Sequence, residues 1–372
     1  MKKRHGIKVA LGIALAGCSI AAFADLMPGM PPVPAVTDDG TMTAPSFSLP
    51  FSSYASPEAR KAFVEALRNP LPTSPDIKRM RELTDEATVP RLAKAAAMYP
   101  YTSTRSTIAG VGVDTFVPKA GIAPENRNKV LINLHGGAFV VGGGGPGASI
   151  ESVPIAGAAR IKVISVDYRL APENRFPAGS EDVAKVYVEL LKQYRPENIG
   201  IFGCSAGGAL TAQATAWIID KKLPVPGAIG IFCASTHKFG EGDSFQLWPR
   251  MGSVVRVPTP AHVDDDHFGR MDVYFSTTTP KDPLAVPSAS RDILRRFPPT
   301  LLLTGTRAPE MSSAAMSAIE LYEVGVKTQL ILFDGMDHGF FTDVSLPESQ
   351  RAHRIIAQFF AENLGHRPAA RR

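Results

Sequence analysis

Along most of this chain the apolar residues gather in short, unbroken runs instead of alternating with polar ones. Lys129 to Leu134 (K-V-L-I-N-L), residues 161–167, Ile199 to Phe202, Ala228 to Cys233, Thr300 to Thr304 and Thr328 to Phe333 all read this way. Such runs predict strands buried on both faces. A further strand is expected from Gly110 to Val117. Between the runs lie stretches with helical spacing, from about Ser180 to Tyr194, from Ser205 to about Asp220, from about Ser312 to Val324, and in an amphipathic segment that closes the chain. Strands that alternate with helices predict an α/β protein with a mostly parallel central sheet and helices on both faces. Ligands in such folds sit beyond the carboxyl ends of the strands.

The pattern changes at both sides of this core. Residues 25–56 are rich in Pro, Ser and Thr with no apolar period, and read as an extended linker or arm. Residues 57–100 carry Phe63, Leu67, Ile77, Met80, Leu83, Leu92 and Met98 at roughly helical spacing. Ser56-Pro57-Glu58 and Ser74-Pro75-Asp76 each place a capping serine before a proline at the first helical position. This segment is expected to be a helical lid that also packs on the core of a catalytic domain spanning 101–365. Residues 236–280 are irregular and hold Phe245, Trp248, Phe268, Tyr274 and Phe275 among polar residues, as a lid insertion would. Some of these aromatics are expected to line a pocket and most to fill a small core of their own.

Composition adds a compartment. The chain has 372 residues and a formal charge of +5. Lys2, Lys3, Arg4 and Lys8 precede an apolar run from Val9 to Ala24 that ends Ala22-Phe23-Ala24, so residues 1–24 read as a secretory signal. Export, to a periplasm or to the medium, is the expectation. Leu15-Ala16-Gly17-Cys18 has the form of a lipobox, which would instead anchor the protein to a membrane through lipidated Cys18. Without the leader's positive residues little net charge remains, and no nucleic-acid footprint is left. The last residues, 366–372, form a basic tail. Cys204 and Cys233 are then too few for a disulfide framework and are expected to be two buried thiols.

The chemistry gathers at strand ends. Ile199 to Phe202 runs into Gly203-Cys204-Ser205-Ala206-Gly207-Gly208 and then a helix former, a strand, sharp turn and helix that would expose the Ser205 hydroxyl. By itself G-x-S-x-G also fits a tight turn with a capping serine. His135-Gly136-Gly137-Ala138-Phe139 follows another strand, and its small residues would present unshielded backbone N–H groups to an oxyanion. His338 follows the last strand, within Asp334-Gly335-Met336-Asp337-His338-Gly339-Phe340. Serine, then an acid, then histidine is the chain order of one known type of triad. Two rival motifs are weaker. Gly142, Gly144 and Gly147 fit a dinucleotide fingerprint with Asp167 as its acid, but the first glycine lies too far beyond the strand. Asp264-Asp265-Asp266-His267 invites a metal, but adjacent positions cannot all converge on one ion. Neither a metal nor an organic cofactor is expected.

Five segments in order resemble the hormone-sensitive-lipase family of bacterial esterases over about residues 100 to 360. His135 to Phe139 is similar to its H-G-G-G motif, Tyr168 to Glu173 to its Y-R-L-A-P-E segment, and Gly203 to Gly208 to its G-x-S-x-G-G elbow. Asp282-Pro283-Leu284 is similar to its D-P-L turn, and Asp337 to Phe340 to its histidine loop. The resemblance implies an α/β-hydrolase fold and a serine carboxylesterase acting on small to medium acyl esters, with lactones next. Ser205 would be the nucleophile and His338 the base, with an oxyanion hole of backbone N–H groups drawn from Gly136, Gly137, Ala138 and Ala206. Where the family reads G-T-R-D this chain has Ala308, and Glu310 on the same loop is expected to replace the absent aspartate, with Asp334 and Asp337 as rivals. Ala308 also leaves open a ligand-binding member of the fold without catalysis.

Overall fold

The computed structural model describes residues 35–43, 48–252, 268 and 271–366. It divides at residue 50 into two units. The first holds a two-residue antiparallel pairing of Ala35–Val36 with Met42–Thr43. Everything else belongs to the second. The proposed leader, Cys18, the basic tail beyond His366 and the Asp264–His267 cluster lie outside the described residues.

The second unit is built on eight strands: β1 Tyr101–Ile108, β2 Val111–Pro118, β3 Val130–Leu134, β4 Lys162–Val166, β5 Ile199–Cys204, β6 Ala228–Phe232, β7 Thr300–Gly305 and β8 Thr328–Phe333. Their order across the sheet is β8-β7-β6-β5-β3-β4-β2-β1. From β4 to β8 all pairings are parallel, and β2 and β1 join antiparallel at one edge. Alternate side chains feed two cores. Val130, Ile132 and Leu134 enter one and Leu131 enters the other, which is why these strands read as continuous apolar runs.

Two elements escape the apolar pattern. Strand β1 has polar residues along most of its length, because it is an exposed edge strand paired only with β2. The helix Pro146–Ala159 has no amphipathic period because most of its residues are buried, and Pro154 sits inside it. It displaces the dinucleotide reading: Gly144 N–H donates to Asp167 Oδ1 at 3.1 Å, and Arg105 pairs with the same carboxylate. The acid that would bind a ribose is already engaged.

Ser56 caps the helix Pro57–Arg68 as expected, accepting from Ala59 N–H at 3.0 Å. The next helix, Ile77–Met98, is capped by Asp76 in place of Ser74. Ser74 instead accepts from the N–H of Asp76 at 3.2 Å, a local turn that precedes the helix. Arg81 then fastens this helix to the catalytic domain, donating to Val140 O at 2.8 Å and to Ala171 O at 2.9 Å.

Candidate active site

The turn after β5 is as sharp as its residues suggest. Ser205 stands at φ 59°, ψ −124°, a sparsely populated region for a residue with a Cβ, and the helix Ala206–Asp220 begins directly after it. Close approach makes that possible, since a Cβ on Gly207 would lie 1.8 Å from the Leu134 carbonyl oxygen. On the neighbouring strand the chain leaves β3 through Gly137 at φ 118° and Ala138 at φ 53°. A Cβ at Gly137 would meet Val141 O at 2.1 Å, which fixes glycine there. At Ala138 the left-handed backbone tolerates alanine, so the departure from glycine leaves the loop's course intact.

Among the described residues, the N–H groups of Gly137, Ala138 and Ala206 have no hydrogen-bond acceptor. Gly136 does not belong with them. Its N–H donates to Glu151 Oε1 at 2.9 Å, so the expectation that it serves an oxyanion is corrected. Glu151 escapes sequence reasoning because it lies in a helix without period. Its one signal is being the sole charged residue between Pro146 and Ala159.

The acid and the base come from the ends of β7 and β8. Glu310 Oε2 accepts from His338 Nδ1 at 2.9 Å, and Thr304 donates to the other oxygen. The Glu310 side chain is almost wholly shielded from solvent, and that of His338 is mostly buried with 17% of its surface exposed. Burial alone would favour the neutral form of each. The mutual attraction outweighs it, holding the Glu310 carboxyl below the usual range and raising the His338 imidazole above its own. A carboxylate only accepts, so His338 carries its proton on Nδ1 and leaves Nε2 for a hydroxyl. The rival acids point elsewhere: Asp334 Oδ1 accepts from Thr306 Oγ1 at 3.0 Å, and Asp337 Oδ1 accepts from the backbone N–H of His338 at 2.7 Å.

Ser205 and His338 open onto one cavity of about 280 Å³. Ala138, Ala206 and Cys233 are among its walls, joined by Trp248, Phe268 and Phe275 from the 236–280 region. Phe245 and Tyr274 instead pack behind it, Phe245 against Trp248 and Tyr274 against Phe139. None of the lining residues comes from 57–100. Much of the 236–280 insertion lies outside the described residues, and among those that are described Phe63 and Leu67 of the N-terminal segment approach Gly252 at its near end.

Cys204 and Cys233 are buried free thiols. Cys233 Sγ accepts from the N–H of Gly339 at 3.2 Å and steadies the histidine loop. Its sulfur, a Glu310 oxygen and a His338 nitrogen lie within 4.8 Å of one another, a set that could hold a metal ion. The acid and imidazole already share a proton, which an ion would have to displace.

A serine on a strained elbow, an imidazole oriented by a carboxylate and unpaired N–H groups around one cavity can together carry acyl transfer. A family model described as alpha/beta hydrolase fold matches residues 131–342. The chain belongs to the α/β-hydrolase fold family. Its solved neighbours include esterases of the bacterial hormone-sensitive-lipase family. A crystal structure of an esterase from that bacterial family aligns with this hydrolase at TM-score 0.71 and 25% identity, covering 83% of this chain and 99% of the other. Another esterase structure aligns at TM-score 0.74 and 29% identity, covering 87% and 99%. By sequence, the hydrolase is 28% identical over 245 residues to the versiconal hemiacetal acetate esterase of Dothistroma septosporum, covering 63% of this chain and 71% of that protein. It is 26% identical over 264 residues to the arylesterase of Saccharolobus solfataricus, covering 67% and 80%.

Proposed function

We propose that this hydrolase is a serine carboxylesterase in which Ser205 attacks, His338 moves the proton and Glu310 orients the imidazole. The observation that carries the reading is the Glu310–His338 hydrogen bond of 2.9 Å at the wall of the cavity that Ser205 also lines. In the first half-reaction His338 Nε2 takes the Ser205 proton as Oγ bonds to the ester carbonyl carbon. The N–H groups of Gly137, Ala138 and Ala206 hold the resulting oxyanion. Collapse expels the alkoxide, which takes the proton from His338 and leaves an acyl-serine. Water then repeats the sequence and frees the acid.

A small, mostly apolar cavity suits short to medium acyl chains. Relatives named for acetyl and aryl esters, an acetyl-hydrolase of Streptomyces hygroscopicus and the Saccharolobus arylesterase, favour the same range. The leader supports export, with cleavage after Ala24 or lipidation at Cys18 distinguished by mass spectrometry of the mature N-terminus. Among the described residues no helix is long and apolar enough to cross a membrane.

The deciding experiment compares hydrolysis of 4-nitrophenyl butyrate by the wild-type chain and by Ser205→Ala. Turnover is expected to fall about a thousand-fold or more. Activity in the variant within tenfold of wild type would refute the assignment of the nucleophile.

A further inference from the structure

We propose that Glu151 is a positioning residue that sets the spacing between the two halves of the oxyanion hole. The inference rests on the reading that Gly137, Ala138 and Ala206 hold the oxyanion.

Strands β3 and β5 are parallel neighbours, and their ladder ends with the pair Leu134 and Gly203. Beyond that pair the chains diverge, one into the Gly136–Ala138 loop and the other into the nucleophile elbow. On its far side the elbow stays tied to the sheet, since Ser205 N–H donates to Phe232 O at 2.9 Å. Toward β3 the ladder ends there, and the next amides, of Gly136 and Cys204, turn to a side chain. Glu151 reaches into the gap from the helix Pro146–Ala159. One carboxylate oxygen accepts from Gly136 N–H at 2.9 Å, and the other accepts from Cys204 N–H at 3.1 Å and from Asn133 Nδ2 at 3.1 Å. A single side chain thus replaces the missing ladder and joins the two loops. Gly137 follows one of the anchored amides directly, and Ala206 lies two residues past the other.

The donors around Glu151 call for a carboxylate, and burial opposes it. Glu151 is only 4% exposed, and burial pushes its carboxyl up to about 7 against the pull of the three donors. Those donors are all N–H groups, so a protonated acid would place its own hydrogen among hydrogens. Among the described residues no lysine or arginine pairs with it. The titratable groups whose charge it feels or influences are His338, Cys204 and Tyr168. The negative charge favours the imidazolium that forms on His338 during attack. Asn133 is held in turn, its Oδ1 accepting from Ser152 at 3.1 Å and from Ser165 at 3.0 Å.

The test uses the full chain and two variants. Glu151→Gln keeps the shape but turns an NH2 group toward another donor, so the two loops should part. With 4-nitrophenyl butyrate, kcat is expected to fall about 30- to 100-fold while KM stays within about threefold, the usual scale for a displacement near 1 Å. Affinity for a trifluoromethyl ketone, which adds Ser205 Oγ and leaves an oxyanion in the hole, should weaken by the same factor. A purely structural role would lower the folded fraction and the melting temperature but leave the ketone affinity of the folded enzyme unchanged. Glu151→Asp keeps the charge and loses a methylene, and about a tenfold fall in kcat is expected; it decides alone if the Gln variant does not fold. Either variant, folded and within twofold of wild type in both kcat and ketone affinity, would overturn the proposal. Ser205→Ala separates this failure from the wider one. If that variant is inactive while Glu151→Gln is not impaired, only the spacing role falls, whereas an active Ser205→Ala removes Ser205 as nucleophile and with it the oxyanion-hole reading on which the spacing role rests.

Discussion

Glu310 meets His338 at 2.9 Å from a loop whose position 308, where the resemblance to the hormone-sensitive-lipase family implies an aspartate, is a buried alanine. The extra methylene of glutamate lets a residue at the head of the helix Met311–Glu323 reach the same ring nitrogen. Thr304, at the end of β7, bonds its second oxygen and limits its rotation.

Replacing that carboxylate should therefore disable the base without removing it. Glu310→Gln is expected to lower kcat about a hundred- to ten-thousand-fold, because an amide can stabilise the wrong tautomer and gives no charge to the imidazolium. Asp334→Asn and Asp337→Asn should keep activity within about tenfold, since their oxygens are bonded to Thr306 and to the His338 backbone. Steady-state kinetics of the three variants with one chromogenic ester checks the assignment, and the reverse pattern would transfer the acid's role.

The same pair sets a pH dependence. Glu310 raises the folded-state pKa of His338 above the ordinary 6.5 despite burial. Catalysis needs the neutral ring, so kcat/KM should rise with pH through that elevated pKa and plateau on the alkaline side. The pair's contribution to stability has the opposite course. The His338 part is complete below about 6.5 and is lost as pH rises through the folded pKa; the Glu310 part is present above about 4.5 and is lost as pH falls through its depressed value. Melting temperature should thus decline over the range in which activity appears. In Glu310→Gln the activity limb should move toward lower pH, because the strongest pull on the ring's proton is lost and burial then faces only weaker ones such as that of Asp337. A limb unmoved by that substitution would show that another group controls it.

Backbone demands at the two loops can be tested by opposite substitutions. Gly207→Ala would drive a Cβ to 1.8 Å from Leu134 O, where both partners are backbone. A loss of about 3 kcal/mol is expected, read as a melting temperature lower by about 5–10 °C. Ala138→Gly, at φ 53°, should keep kcat within about threefold because the same N–H remains. Large loss in the second variant would mean that the alanine methyl acts in the cavity.

Chain-length preference should follow the cavity wall. Trp248 is 1% exposed and lines the cavity, so Trp248→Ala opens space for more methylenes, each worth about 0.8 kcal/mol when buried. The ratio of kcat/KM for the octanoate over the butyrate 4-nitrophenyl ester is expected to rise about tenfold. No change in that ratio in the folded variant would place the acyl chain elsewhere.

Five buried strands, the elbow at Ser205, the oxyanion loop and the histidine loop were legible in the amino-acid order, because each is a local pattern: an apolar run, then small residues, then a functional group. The run Thr328–Phe333 also gave a strand, but as the half-exposed edge β8 and not one buried on both faces. Edge strand β1 and the helix Pro146–Ala159 were not legible, since the first is exposed almost throughout and the second buried nearly all round. Neither leaves a periodic trace.

The order of residues alone prescribes the set of turns and the succession of serine, acid and histidine. It took the folded chain to show that Glu310 and not Asp334 or Asp337 faces His338, that Gly136 is spent on Glu151, and that Trp248, Phe268 and Phe275 line the cavity while Phe245 and Tyr274 pack behind it. Each of these depends on which groups from distant segments come within about 3 Å of one another, the reach of a hydrogen bond. Such distances arise from how the sheet twists and its layers pack, and no local pattern records them.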